Sequence, residues 1–546
     1  MFHHRLIATA ASIAAGVILI PSAAQAATTS PAAKLPPASA NGAGRLSASF
    51  QTFTSPAAKS ALVRRALSGS AVTADDNPTL AVALSAEPTS AHGMAVTSTI
   101  TSADTALSIS IAWGDGTTDT ATATGSEILS SNHAYAQPGD YTVVVTVTDA
   151  AGDSVNNSVE VITAGSDYTA YGPIRLLDTR NATGAPKKPL TSASPIKLQI
   201  AGNGKIPSYV TAVVLNLTLT NSTGSGNVIA YPDGISPPNT SNLNYSAGQT
   251  VPNLAIVPVG ADGYIDLSKL GPGSVDMIAD VEGFFTQTAA AGYTSESPAR
   301  ILDTRNATGA PKKPLTSTSP IKLQIAGKGG VPNGVSAVAL NLTLTDSTGS
   351  GNVTAYPDGT TPPNASNLNY TAGLTVANAA IVPVGKDGYI DLTKLGPGGV
   401  DMIADVEGYF TSTGVGAYVP VTPTRLFDSR QVANGKLPGQ FYYSLAIDQE
   451  QDGTPIPGVT SMVLNTTVTN VAGTGFLTVF PDNTSGANGA ALVPNASNLN
   501  FVSHATVPNL TFATPGSNGV VDFFNGTGAA GSLDLIVDVF GVYENN

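Results

Sequence analysis

The chain has 546 residues, with 24 basic residues against 37 acidic ones and no cysteine. Disulfides are therefore excluded, and the length suggests about four domains. An acidic chain without basic clusters is a poor partner for nucleic acid or anionic lipid surfaces. Charged residues make up only 11%, and Gly, Thr, Ser and Asn are abundant, which suits extracellular all-β proteins better than long helices.

Residues 1–26 read as a secretory signal. His3, His4 and Arg5 precede an apolar run from Leu6 to Ile20, and Ala24-Gln25-Ala26 supplies the small residues of a cleavage site. No later stretch reaches ~18 consecutive apolar residues, so no membrane insertion is expected after cleavage. The expected location is secreted or extracellular, with cell-wall association as a further option. Residues 27–78, rich in Ala, Ser, Thr and Pro, read as a disordered linker. Within it Ala57–Leu67 has helical composition, readable as a weak helix or as a docking segment.

Residues 79–164 change character. In "LSISIAWGDGTTDT", Leu107, Ile109, Ile111 and Trp113 alternate with small polar residues, as on a strand, and Gly114-Asp115-Gly116 makes a tight turn. "HAYAQPGDYTVVVTVTD" follows, with Tyr141, Val143, Val145 and Val147 on one face of a second strand. Trp113, the only tryptophan in the chain, reads as a core anchor. With the closing "AGDS", these motifs resemble a PKD domain, an immunoglobulin-like β-sandwich, although the aromatic usual between the Trp and the Gly-Asp-Gly turn is missing. The resemblance implies a spacer or interaction module and no catalytic residue.

From Tyr168 the chain is a tandem array, read as β repeats at 168–287, 293–412 and 416–546. "RLLDTR" at Arg175–Arg180 returns as "RILDTR" at Arg300–Arg305 and "RLFDSR" at Arg425–Arg430. "LNLT" (215, 340) becomes "LNTT" (464). "SNLN" stands at 241, 366 and 497, and "VPN" at 251 and 507, with "VAN" at 376. "DMIADVEG" (276, 401) becomes "DLIVDVFG" (534). Each copy holds about eight short β-type runs, including Ile196–Ala201, Ala212–Thr220, Asn227–Tyr231, Val251–Val259 and Val275–Phe285. The fold class expected is all-β and multidomain: one PKD-type sandwich followed by three related sandwich or barrel domains. A period this long predicts independent domains on a string, not a solenoid. The array also resembles the LDTR-type repeats of exported actinobacterial proteins, which implies a setting beside hydrolases or wall-associated modules and no settled activity.

Catalysis finds little footing. A glycosidase needs two carboxyl groups about 5–9.5 Å apart. Asp276 and Asp280 lie four strand residues, roughly 13 Å, apart, so a pair would need Asp178 to meet one of them across strands. Outside the signal only His92, His133 and His504 remain, and neither a Gly-x-Ser-x-Gly elbow nor a His-Glu-x-x-His motif occurs. No catalytic residue, cofactor or metal site is assigned.

Two motifs need an account. The strand "VDMIADVEGFF" carries aspartates that are costly to bury unpaired, and the hexapeptide arginines are the obvious partners. A structural ion-pair cluster joining first and last strands is expected from Arg175, Asp178, Arg180, Asp276 and Asp280, from Arg300, Asp303, Arg305, Asp401 and Asp405, and from Arg425, Asp428, Arg430, Asp534 and Asp538, with ligand binding as the alternative. In "SNLN", Asn242 and Asn244 alternate onto one face before Tyr245. The equivalents are Asn367, Asn369 and Tyr370, and Asn498, Asn500 and Phe501. These amides either close backbone groups at a turn or form a polar ladder for sugar hydroxyls, with calcium as a further possible ligand.

The function expected is a secreted, non-catalytic protein binding cell-wall or extracellular polysaccharide, with three linked copies raising avidity. The alternatives are an exported carbohydrate-active hydrolase and a surface-layer or spacer protein without a specific ligand.

Overall fold

A computed structural model describes residues 44–46, 69–73, 79–104, 106–432, 435–446, 458–482 and 493–545. The expected signal peptide and the Ala57–Leu67 segment lie outside the described residues. Within the described residues the regular structure is all strand apart from one three-residue 3-10 turn at Ser429–Gln431. No helix among them is long and apolar enough to cross a membrane.

The N-terminal sandwich packs two four-stranded sheets. One has Gly69–Thr73, Ala81–Pro88, Gly93–Thr101 and Glu127–Ala134 in that order; the other has Thr118–Ala123, Leu107–Ala112, Gly139–Asp149 and Ser154–Thr163. Alternation puts Leu107, Ile109, Ile111, Val143, Val145 and Val147 into the core with Trp113 and Tyr135. Trp113 is fully buried, and its Nε1 donates to Asp119 at 2.8 Å. His133 stacks on its ring with centroids 4.7 Å apart.

Each repeat is also a two-sheet sandwich. In the first, an inner sheet orders Asp167–Asp178, Asp276–Thr286, Val210–Thr220 and Val251–Pro258. An outer sheet orders Ile196–Gln199, Tyr264–Leu270, Gly226–Pro232 and Leu243–Tyr245. Outer strand Tyr264–Leu270 alternates buried and part-exposed residues, as one solvated face demands, whereas Val210–Thr220 is buried at nearly every position. Inner strands are covered on both sides: Val213, Leu215 and Leu217 face their own repeat's core, while Ala212 and Val214 face the other repeats.

That second face overturns the picture of independent domains on a string. Ala212, Val214, Leu254 and Ile256 share one buried cluster with Ala337, Ala339, Ala379 and Ile381 and with Val463, Leu510 and Phe512. The inner sheets of repeats two and three run into one nine-stranded sheet through Tyr293↔Gly416. Bridges Tyr168↔Ala291 and Ser166↔Tyr418 tie in the first repeat. Aromatics fill the centre: Tyr168 meets Phe410 at 4.4 Å, Tyr293 meets Tyr543 at 4.1 Å, and Tyr418 meets Phe285 at 4.6 Å. The contacts run from repeat one to two, two to three and three to one, a pseudo-threefold ring. The hydroxyls of Tyr168, Tyr293 and Tyr418 each donate to a carbonyl of their own repeat's last strand, that of Glu282, Glu407 and Phe540 respectively. The following glycines are required there, since a Cβ on Gly283 would lie 2.2 Å from the Tyr168 ring.

Candidate functional site

The charged hexapeptide sits where the first strand of each repeat pairs with the last. Arg175 is in register with Asp280, Arg300 with Asp405 and Arg425 with Asp538, each followed by a register shift that re-aims the chain. Arg175 Nε and Nη2 hold Asp280 at 2.9 and 3.1 Å, and Nη1 reaches Asp178 at 3.3 Å. Arg180 grips Asp178 from the other side at 2.9 and 2.7 Å. The second repeat repeats this with Arg300–Asp405 at 2.8 Å and Arg305–Asp303 at 2.6 Å, the third with Arg425–Asp538 at 2.8 Å and Arg430–Asp428 at 2.6 Å. Hydrogen bonds from Arg180 hold Asp178 below its usual range, while burial pushes Asp280, Asp405 and Asp538 up against the pull of their arginines.

Asp276, Asp401 and Asp534 do not join these clusters. Asp276 accepts from Thr179 Oγ1 at 2.8 Å and Asn221 Nδ2 at 2.9 Å, Asp401 from Thr304 at 2.6 Å, and Asp534 from Ser429 and Asn470 at 2.9 Å each. The strand rise explains this, because residues four apart are roughly 13 Å distant and one arginine serves only the nearer.

The first asparagine of each "SNLN" is buried between sheets and repeats, as is Asn500, whereas Asn244 and Asn369 are part-exposed. Asn242, Asn367 and Asn498 are at most 2% exposed, and their Oδ1 atoms accept from the backbone of Ala230, Ala355 and Val479 at 2.7–2.8 Å. Asn244 and Asn369 donate to Ser241 and Ser366 Oγ, and Asn500 accepts from Ser497 Oγ at 3.2 Å. Tyr245, Tyr370 and Phe501 are core residues.

Three further asparagines, present in "VPN" and "VAN" without an assigned role, close the ring. Asn378 Nδ2 donates to Asn216 Oδ1 at 2.8 Å, Asn509 to Asn341 at 2.9 Å and Asn253 to Asn465 at 2.8 Å. Their Oδ1 atoms accept from the next strand around: Leu254 N to Asn378, Ala379 N to Asn509, Leu510 N to Asn253. Asn216, Asn341 and Asn465 in turn donate to the carbonyls of Ser366, Ser497 and Ser241. Glu282 and Glu407 were also missed. Glu282 accepts from Asn367 at 2.6 Å and from Ile381 N at 3.0 Å, and Glu407 repeats this toward Asn498 and Phe512. Burial pushes both carboxyls up to about 8. At the junction with the N-terminal sandwich, His92 lies 3.9 Å from Asp167, and both are buried.

The outer sheets carry a different cluster. Lys197 Nζ bridges Asp233 at 2.9 Å and Asp262 at 2.7 Å and lies 4.7 Å from the Tyr264 ring centroid. Lys322, Asp358, Asp387 and Tyr389 reproduce it in the second repeat at 2.8, 2.7 and 4.7 Å. Burial and the Asp233 carboxylate raise Asp266 beside it, and Asp391 behaves likewise. In the third repeat Ser444 bonds Asp522 at 2.6 Å and Asn518 bonds Asp482 at 2.9 Å, with Val520 in place of the tyrosine.

Residues 76–164 match the family model for the PKD domain. This chain carries a PKD domain. No curated protein sequence matches the chain. A solved structure titled for carbohydrate-binding modules of the β-sandwich superfamily is 10% identical, covers 39% of this chain and 98% of its own, and has a TM-score of 0.15. A SusE-like protein is 10% identical over 40% and 98%, with a TM-score of 0.13. A triple jelly-roll protein from the turret of an archaeal virus is 11% identical over 70% and 90%, with a TM-score of 0.15.

Proposed function

We propose that this chain is a secreted, non-catalytic binding protein that attaches to cell-wall or extracellular polysaccharide. The observation that carries this reading is the duplicated Lys–Asp–Tyr cluster on the outer sheets of repeats one and two. Carboxylates beside a part-exposed tyrosine can hydrogen-bond sugar hydroxyls and offer a ring to a sugar face. A fused ring holds the two clusters at a fixed separation, which favours a repetitive target. Two matching surfaces, rather than three, provide the avidity. The hexapeptide clusters serve structure in this reading: Asp178 and Asp280 are each 1% exposed and share Arg175, so they are not a carboxyl pair open to substrate.

The test is retention of the mature protein on particulate peptidoglycan, chitin and cellulose, with and without EDTA. Retention without release of soluble sugar, weakened in a Tyr264→Ala/Tyr389→Ala variant, supports the reading. Release of soluble sugar overturns it in favour of a hydrolase. No retention on any of them leaves the spacer reading.

A further inference from the structure

We propose that the outward face of the Thr118–Ala123, Leu107–Ala112 and Gly139–Asp149 strands in the PKD domain is a binding groove for a neutral, hydroxyl-rich polysaccharide chain. The inference adopts the polysaccharide target proposed above but places this contact away from the repeats.

The residues on this face come from three strands in register. Ser108 stands opposite Thr122 on one side and Thr148 on the other, and Ser110 stands between Thr120 and Thr146. Two rows of three hydroxyls result. Strand spacing sets neighbours in a row about 4.8 Å apart and the rows about 6.7 Å apart. The strands' other faces point into the sandwich core through Leu107, Ile109, Ile111, Val145 and Val147. The hydroxyl face therefore looks outward, and the twisted sheet makes it a shallow depression of about 540 Å³ lined by these six side chains with Ile109 and Ala121. Among the described residues, only the Ser108 hydroxyl of the six has a protein partner, the Thr148 carbonyl at 3.4 Å. Ser108, Ser110, Thr120 and Thr122 are exposed.

Core packing does not explain six short hydroxylated side chains in register on an outward face. Each can donate and accept, and each is held on a rigid strand, so little side-chain freedom is lost on binding. Charge selects the occupant. Residues 79–164 contain nine Asp and Glu and no Lys or Arg. A polyanion would be repelled, while a neutral chain of sugar hydroxyls meets complementary donors and acceptors without a charge to desolvate.

The test uses the full mature chain and particulate chitin and cellulose as neutral probes, with an anionic, carboxylate-bearing polysaccharide as a third. A Ser110→Ala/Thr120→Val/Thr146→Val variant removes three hydroxyls while keeping strand-compatible side chains, and circular dichroism checks its fold. Affinity for the neutral probe should fall roughly 30- to 150-fold, as loss of two or three net hydrogen bonds predicts. The single exposed change Ser110→Lys should weaken binding by obstructing the groove, and it gives an independent readout should the triple variant misfold. Unchanged affinity in the folded triple variant, or in the Ser110→Lys variant, overturns the proposal. So does a preference for the anionic probe. If the Tyr264→Ala/Tyr389→Ala variant loses binding while both groove variants keep it, this proposal falls and the repeat-surface reading stands. If the parent binds no probe, both fall together.

Discussion

Phe540 occupies the strand position of Glu282 and Glu407, and at the junction it faces the Nδ2 of Asn242 is buried without a hydrogen-bond partner. The equivalent amides of Asn367 and Asn498 reach glutamates at 2.6 Å. Both glutamate contacts, to the asparagine amide and to a backbone N–H, are thus missing at the third junction.

That difference allows an internal comparison. Asn242→Ala removes the Ala230 contact alone, whereas Asn367→Ala removes the matching Ala355 contact and also strips Glu282 of a donor. A buried acceptor left unmatched costs about 1–3 kcal/mol. Chemical denaturation should therefore show Asn367→Ala to be the more destabilising by about that amount. Equal losses would mean that the Glu282 contact contributes nothing.

Stability of the repeat body should fall as pH rises. Glu282 and Glu407 are raised from 4.5 to about 8 by burial, so the folded state holds their protons where the unfolded state has released them. Their contribution is fully present below about 4.5 and is lost as pH climbs through about 8. Melting temperatures taken across that window should decline, and a Glu282→Gln/Glu407→Gln variant should flatten the slope. A parent profile that rises over the window would refute the assignment.

Asp280→Ala should cost ~3–5 kcal/mol, the usual penalty for stranding one member of a buried ion pair. Asp280 is 1% exposed, and it also receives the Ser366 backbone of the next repeat, so the loss should loosen a junction as well as a strand pair. An unchanged melting temperature would rule out a structural role for the hexapeptide cluster.

The three repeats should unfold together. Their inner sheets share one buried cluster and a closed set of asparagine contacts. Calorimetry should resolve one transition for the repeats, with the PKD domain contributing at most one more. Three separable repeat transitions would show the shared core to be energetically idle.

Much of the PKD domain and of each repeat is legible in the sequence. Alternation in "LSISIAWGDG" marks a half-buried strand, and a strand apolar on both faces around Asp280 requires a charged partner, for which Arg175 and Arg180 are the available candidates. The junctions were harder. A residue that contacts the next copy leaves the same trace in the sequence as one that contacts its own copy, so nothing in the sequence assigns Asn216 or Asn253 to a junction. The strand carrying Phe285, Phe410 and Tyr543 held the signal that was passed over, because a sheet apolar on both faces must be covered on both. Glu282 was overlooked for a different reason: its loss in the third copy looks like drift, although that loss is what leaves Asn242 unmatched. For "SNLN" the sequence leaves two readings open, amides closing backbone groups and a ladder facing sugar hydroxyls, because alternation shows which residues share a face and not what lies opposite that face.

The asparagine ring also has a seam. The pairs joining repeats one to two and two to three bridge 162 and 168 residues, whereas Asn253 and Asn465 bridge 212. The longest closure is therefore made at the junction that lacks the glutamate. The longer closure itself costs only about 0.2 kcal/mol more, so the missing hydrogen bonds dominate there. As the chain emerges, the first two repeats can dock while the third is still to come. Under strain that junction should therefore part first, opening the ring into three lobes joined in sequence order.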